Sequence, residues 1–475
     1  MRNRIGLLTK SVAFLAILTA GAAPLQARIS AEQAARLGGA EFTPVGAERP
    51  GNAAGTIPAW DGGILEYPSG FTKDGPYPDP FAADQPLFTV TAGNIEQYRD
   101  NLTDGQLALF ERYPDSYFLK VYPTRRSASF TDEVIDATRR GAQSMDFCPE
   151  SEVGSAWSRC ITGVVEGGGY PFPFPENGLE VLWNGMLGYE GKYRNTIEAR
   201  NYIVTPGGTF SKNVVNEFTV YPYWLNAQER EKYSTTEFFT KKGGASLCIA
   251  QTILAPPRNA GQLLGSCNYV EDVRLDAYIY LPGQRRVRKA PEIGFYDQPG
   301  TGSDGLHTAD SRDVYFLSGS EEWFDHHLVG KQEIFIPYNS YQLNNVANPD
   351  DIIKPGVIDH DLVRYELHRV WVIESNLKPG FRHLTPKIIT YVDEDSWKGA
   401  TGHRYDQQGR LWRIAENYLI NYYDARATDD LGTAYYDIQN GRYSTWQGWS
   451  THPDFFTPPD VDRFTPQGLR RLGVR

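Results

Sequence analysis

From about residue 160 onward, apolar side chains recur at every second position in run after run, and this period constrains the fold more than any other feature. In 274–281, Leu275, Ala277, Ile279 and Leu281 alternate with Arg274, Asp276, Tyr278 and Tyr280. In 364–374, Tyr365, Leu367, Trp371 and Ile373 share a side interrupted only by Arg369. In 412–422, Trp412, Ile414, Tyr418, Ile420 and Tyr422 share one interrupted only by Glu416. Successive strand residues point to opposite faces, so these runs read as strands with one buried face. Leu179, Val181 and Trp183 alternate with Glu180, Leu182 and Asn184 and read as a further strand. Pro206-Gly207-Gly208 separates 192–205 from 209–224 as a hairpin loop, and Gly409 suits the turn ahead of 412–422. Roughly ten such runs lie between 160 and 440 with no regularly interleaved helices, which predicts antiparallel sheet rather than β-α-β winding. No repeat of fixed period is visible, against a propeller or solenoid.

Composition agrees. Aromatics reach 13%, with 29 Tyr and 10 Trp against 3 Met, a β-leaning usage. Ahead of the sheet, Ser30-Ala31-Glu32-Gln33 and Thr103-Asp104-Gly105-Gln106 are capping boxes. Thr131 opens a helix with acids in its first turn and Arg139 and Arg140 in its last. Between them, 44–63 carries too many breakers for either element and reads as an extended arm laid over a surface. The expected organisation is a signal peptide over 1–27, an arm with short helices over 28–160, a large antiparallel β domain over 161–440 and a C-terminal extension over 441–475.

The signal peptide rests on Arg2, Arg4 and Lys10, the apolar stretch Val12 to Ala23, and Leu25-Gln26-Ala27 as cleavage site. No Cys follows that stretch, so a lipoprotein-type anchor is not expected, and the mature chain is expected to be soluble and periplasmic. Cys148, Cys160, Cys248 and Cys267 are an even set in an exported chain, which suggests two disulfides. Three pairings are formally possible. The sequential one, Cys148 with Cys160 and Cys248 with Cys267, closes short loops and is the expected one. The net charge is −11, and removing three n-region cations leaves about −14, which argues against nucleic acid as a partner.

Candidate chemistry is sparse. Gly300-Thr301-Gly302-Ser303-Asp304-Gly305 spells a dinucleotide fingerprint, but no strand precedes it and no helix follows, so it reads as a loop. His326-His327 and Asp359-His360-Asp361 lack ligand spacing, and neither a metal nor a cofactor is expected. Asp393-Glu394-Asp395 offers clustered carboxylates of the kind a glycosidase uses. The plainer reading pairs these acids with the basic run Arg285-Arg286-x-Arg288-Lys289. What remains is the apolar side of a large sheet with few helices to cover it. Such a sheet either packs on a second one or leaves a cavity.

Several segments resemble a known family. They are Glu41-Phe42-Thr43-Pro44-Val45-Gly46-Ala47-Glu48 with Gly55-Thr56-Ile57-Pro58-Ala59-Trp60, Val121-Tyr122-Pro123-Thr124-Arg125-Arg126 and Gly168-Gly169-Tyr170-Pro171-Phe172-Pro173. Leu281-Pro282-Gly283-Gln284-Arg285-Arg286-Val287-Arg288, Glu366-Leu367-His368-Arg369-Val370-Trp371 and Glu394-Asp395-Ser396-Trp397 continue it, ending with Tyr405-Asp406-x-x-Gly409-x-Leu411-Trp412-Arg413. Together they resemble an uncharacterised family of exported proteobacterial proteins described as outer-membrane lipoprotein-sorting-like and related in fold to LolA and LolB.

The resemblance implies a mainly β fold: a half-closed antiparallel barrel with short helices as a lid over an apolar cavity, which LolA and LolB use for acyl chains. It also implies a place beside resistance-nodulation-division exporters and an outer-membrane component. The chain is more than twice the size of a LolA-type domain and lacks the cysteine that anchors LolB, so no ligand residue is carried over. The expected cavity wall is the set of inward faces Leu275, Ile279, Leu367, Trp371, Ile373, Trp412, Ile414 and Tyr418. Arg369 and Glu416 are expected to pair at its mouth, a register slip that turns them to the surface being the alternative. The expected function is a soluble periplasmic carrier for a lipid, lipoprotein or other hydrophobic molecule, without catalysis. A periplasmic hydrolase using Asp393, Glu394 or Asp395, a non-catalytic export adaptor, and a peripheral position at the outer membrane stay open.

Overall fold

The computed structural model describes residues 29–73, 75–148, 160–241, 243–270, 275–290, 299, 302–310, 314–315, 323–446 and 452–473. The segment expected to be a signal peptide, Arg274 and Gly300-Thr301 lie outside the described residues. Four elements open the chain: α1 (Ala31–Ala35), β1 (Phe88–Val90), α2 (Asp104–Arg112) and β2 (Leu119–Val121). Both expected capping boxes are formed, Ser30 with Gln33 and Thr103 with Gln106. Then come α3 (Asp132–Gly141), a two-stranded ribbon of β3 (Asp146–Phe147) and β4 (Ile161–Thr162), and α4 (Gly178–Met186).

The α4 helix corrects the sequence reading of 179–184 as a strand. Asn177 caps it by accepting from the Glu180 backbone N–H. Gly178, Glu180, Val181, Leu182, Trp183, Asn184 and Gly185 are all buried, so the helix has no wet face to reveal its 3.6-residue period. Its N-terminus lies hard against the sheet. A Cβ on Gly178 would sit 2.9 Å from Ile373 Cγ2 and 3.0 Å from the His326 carbonyl oxygen.

The hairpin expected around Pro206-Gly207-Gly208 is β5 (Tyr193–Val204) with β6 (Phe210–Val220), and Gly208 takes φ +85°. After α5 (Ala227–Glu231) and α6 (Glu237–Thr240), the strands β7 (Ala245–Ala255), β8 (Leu263–Tyr269), β9 (Asp276–Leu281) and β10 (Arg286–Lys289) follow as a meander. The remaining strands are β11 (Phe324–Pro337), β12 (Tyr365–Leu377), β13 (Lys387–Asp393), β14 (Gly399–Tyr405), β15 (Leu411–Tyr422), β16 (Ala427–Asp437) and β17 (Arg442–Trp446), and α7 (Pro466–Gly473) closes the described chain.

All strands but β3 and β4 form one sheet in the order β1-β2-β12-β13-β14-β15-β16-β17-β5-β6-β7-β8-β9-β10, with β11 pairing β12 off this path. Among the described residues the strand ladders of this sheet are antiparallel, apart from parallel contacts of Tyr365 with Val121 and of Tyr338 with Leu419. The sheet is curved and not closed. Tyr338 at the end of β11 bridges to Leu419 of β15, so β11–β15 curl around a small cluster that includes Ile336, Val370, Val372 and Tyr391. β17 pairs with β5 at Tyr443 with Val204 and Ser444 with Ile203, and Thr445 Oγ1 accepts from the Tyr202 backbone N–H beside them. This short seam divides a central sheet, β11–β17, from a wing, β5–β10. Both disulfides take the sequential pairing, Cys148 with Cys160 and Cys248 with Cys267. The second staples directly paired positions of β7 and β8.

Candidate functional site: a half-exposed sheet face beside a charged cavity

The proposed wall residues separate into two environments. On the central sheet, Ile373, Ile414 and Tyr418 are fully buried in the main core, and Leu367 and Trp371 pack against it. The protein fills this space itself. Val45 of the arm, Leu109 and Phe110 of α2, Val134 of α3 and Val181, Leu182 and Trp183 of α4 belong to the same cluster. Trp412 is half-buried at the start of β15, with the Arg413 guanidinium 4.0 Å above its ring.

Arg369 and Glu416 do not pair, which corrects the expectation. Tyr117 and Tyr365 hydroxyls donate to Glu416 Oε1 at 2.8 and 3.0 Å, while Oε2 has no hydrogen-bond partner. Burial pushes the Glu416 carboxyl up to about 7 in spite of the donating tyrosines. Arg369 instead donates to Glu394 Oε1 at 2.5 Å and to the carbonyls of Glu48 and Pro50.

The clustered carboxylates also find partners other than the basic run. Arg126 donates to both oxygens of Asp395, at 2.8 and 2.6 Å, and to the carbonyls of Glu48, Arg49 and Pro58. Lys331 holds Glu394 and Glu48, each at 2.7 Å. His368 lies between Asp393 (3.1 Å) and Glu366 (3.2 Å), and Ser396 donates to the other oxygen of Asp393. The network pins the arm to β11 and β12. The links from Arg126, Lys331 and Arg369 have no sequence signal, because these partners lie tens to hundreds of residues apart. Burial works against an ionised Asp395, but the Arg126 guanidinium overcomes it and holds the carboxyl below the usual range. His368, Asp393 and Asp395 present ligand atoms within 4.8 Å of one another. The Arg126 guanidinium supplies the charge opposite Asp395 there.

The wing differs. Pairing places Leu247 and Ile249 of β7, Leu264 of β8, and Ala277, Ile279 and Leu281 of β9 on one face, which Leu275 continues. The opposite face is covered. It carries the Cys248–Cys267 bridge, packs Phe238 and Phe239 of α6, and sets Tyr280 and Val287 against Leu469 and Leu472 of α7. On the first face Leu247, Ile249, Leu275, Ile279 and Leu281 stay half-buried. Leu264, Ala277 and Ala290, with Leu275 and Ile279, form a small cluster separate from the main core. The alternation in 245–253 was readable, with Leu247, Ile249 and Ile253 against Cys248, Ala250 and Thr252.

At the seam end of this face lies a cavity of about 40 Å³, room for a water or two. Leu247, Ile249 and Met186 form its apolar side, and Glu190, Arg194, Glu217 and Asp430 its charged side. Asp430 Oδ1 and Arg194 Nε lack hydrogen-bond partners. Burial and the neighbouring Asp429 push Asp430 up to about 8, so it carries a proton near neutrality. The face therefore runs from a charged pit, over an apolar stripe, to Arg286 and Arg288 on β10, the strand that ends the sheet.

Fold and face together define an open, curved antiparallel-sheet protein with one amphipathic sheet surface. The family model for DUF1329, a protein family of unknown function, matches residues 89–470, and the chain belongs to this family. An uncharacterized protein from Pseudomonas aeruginosa is 40% identical over 471 residues, covering 96% of each chain. Among solved structures, the chain is similar to a putative outer membrane lipoprotein-sorting protein domain from Vibrio parahaemolyticus. Identity there is 15% and TM-score 0.41, over 62% of this chain and 98% of that one. A DUF1329 family protein from Desulfovibrio piger is similar at 12% identity and TM-score 0.39, over 61% and 95%. A LolA superfamily protein from Nitrosomonas europaea is similar at 9% identity and TM-score 0.32, over 57% and 90%. No helix among the described residues is long and apolar enough to cross a membrane.

Proposed function

We propose that the protein is a periplasmic carrier that holds a hydrophobic or amphipathic molecule on the wing face rather than in the central core. One observation carries this reading. Leu247, Ile249, Leu275, Ile279 and Leu281 of the wing stay half-buried along one continuous stripe, whereas Ile373, Ile414 and Tyr418 on the apolar side of β12 and β15 are covered by the arm and helices. Burying one methylene is worth about 0.8 kcal/mol, so eight of them along the stripe contribute about 6 kcal/mol before ordering costs. Such binding requires no catalytic group. The signal-peptide segment and the two disulfides support an oxidising, exported location. An envelope export route, with an inner-membrane exporter and an outer-membrane acceptor as partners, is the setting in which a carrier of this kind operates.

The test is native mass spectrometry of protein released gently from the periplasm, followed by challenge with a sixteen-carbon fluorescent probe. A bound hydrophobe, or uptake of one probe per chain that Ile279→Asp abolishes, is the expected result. Protein that emerges empty and takes up no probe overturns the proposal.

A further inference from the structure

We infer that the wing face takes a single-chain amphiphile with an anionic headgroup, its tail along Ile249, Leu264 and Ile279 and its headgroup at Arg286 and Arg288. The inference rests on the carrier reading and adds to it the charge and the orientation of the ligand.

The register fixes the geometry. Arg288 pairs directly with Ile279 and Arg286 with Leu281, so both guanidinium groups rise from the apolar face beside those side chains. The intervening Val287 pairs with Tyr280 and points the other way, into the cluster with Leu469 and Leu472. The two arginines thus share the face of the stripe and not the face of α7. From β7 to β10 the stripe crosses three strand spacings, about 14 Å, enough for a substantial part of an acyl chain.

The charge is the second observation. The chain carries eleven more acids than bases, and several arginines of the body are matched, Arg125 with Asp84, Arg194 with Asp429 and Arg442 with Asp304. Among the described residues, Arg286 and Arg288 have no carboxylate within ion-pair distance, and their neighbour Lys289 is the one that reaches Asp276. Both are exposed on the strand that ends the sheet. Two unmatched guanidinium groups at the end of an apolar track suit a carboxylate or phosphate headgroup, which arginine recognises with two parallel hydrogen bonds. The opposite end of the track is bordered by Glu190 and Glu217, and the Arg194 guanidinium there is already taken by Asp429, which disfavours an anion at that end and sets the orientation.

The experiment compares binding of palmitate, hexadecyl phosphate and hexadecanol to the full mature chain and to an Arg286→Ala/Arg288→Ala variant. Both positions are exposed, so the variant keeps the fold. The expected result is that at least one anionic probe binds wild type about ten-fold more tightly than hexadecanol, a preference that 0.5 M salt weakens. The variant loses that preference while retaining hexadecanol. Which of the two anions is preferred separates a carboxylate from a phosphate ligand. Equal binding of all three probes to wild type, or a preference unchanged in the variant, overturns the headgroup inference and leaves the carrier reading intact. Uptake of none of the three overturns the carrier reading itself.

Discussion

Replacing Glu416 by Gln changes how stability depends on pH, by an amount the structure sets. Glu416 is fully buried among tyrosines, and that burial pushes its carboxyl up to about 7 from an ordinary 4.5. A raised carboxyl pKa means that the folded state holds its proton where the unfolded state has released it. Stability therefore falls as pH rises through the interval from 4.5 to 7, by 1.36 kcal/mol per pKa unit, about 3 kcal/mol in all. Glutamine keeps an acceptor for the Tyr117 and Tyr365 hydroxyls but cannot ionise. Urea unfolding of both proteins at pH 5 and pH 8 gives the stability difference, in which every other titrating group cancels. That difference shifts by about 2–3 kcal/mol in favour of Glu416→Gln between the two pH values. A difference that stays constant would show that Glu416 does not carry the buried proton, and the assignment fails.

His368 has the opposite chemistry and a later window. Its two carboxylate partners outweigh burial and raise it to about 9, so its stabilisation is fully present below about 6.5 and is lost as pH rises through 9. His368→Gln is expected to be less stable than wild type by about 3 kcal/mol at pH 6 and to converge on it by pH 10, as measured by urea unfolding. Arg126→Met leaves Asp395 as an uncompensated buried charge and releases the arm, at a cost of about 3–5 kcal/mol. Limited proteolysis of that variant is expected to cut within 48–60, where wild type resists, and an unchanged digestion pattern argues against the pinning role.

Much of the sheet was legible because large apolar side chains alternate with polar or small ones along its strands, even in β15, which is buried on both faces beyond its first two residues. The runs at 193–204, 365–377 and 411–422 lie where the period placed them. The exception, α4, shows the limit of the method: a helix buried on every side carries no period, and only its Asn177 cap was available as a signal. For the site, sequence identified faces but not their cover. Ile373, Ile414 and Tyr418 alternate as cleanly as Leu275 and Ile279, yet the first set is sealed by segments far away in the chain. The partners of Asp393, Glu394 and Asp395 were invisible for the same reason, since Arg126 lies 269 positions from Asp395.

Arg126 and Arg369 grip the arm through the carbonyl oxygens of Glu48, Arg49, Pro50 and Pro58, and every residue type offers that atom. The fastening is consequently indifferent to what side chains the strap bears at its proline positions. At Pro50 and Pro58 the lettering is free to drift while the clasp holds, whereas Glu48 also engages Lys331 through its own carboxylate; a deletion that slides the strap along its track is what would spring it open.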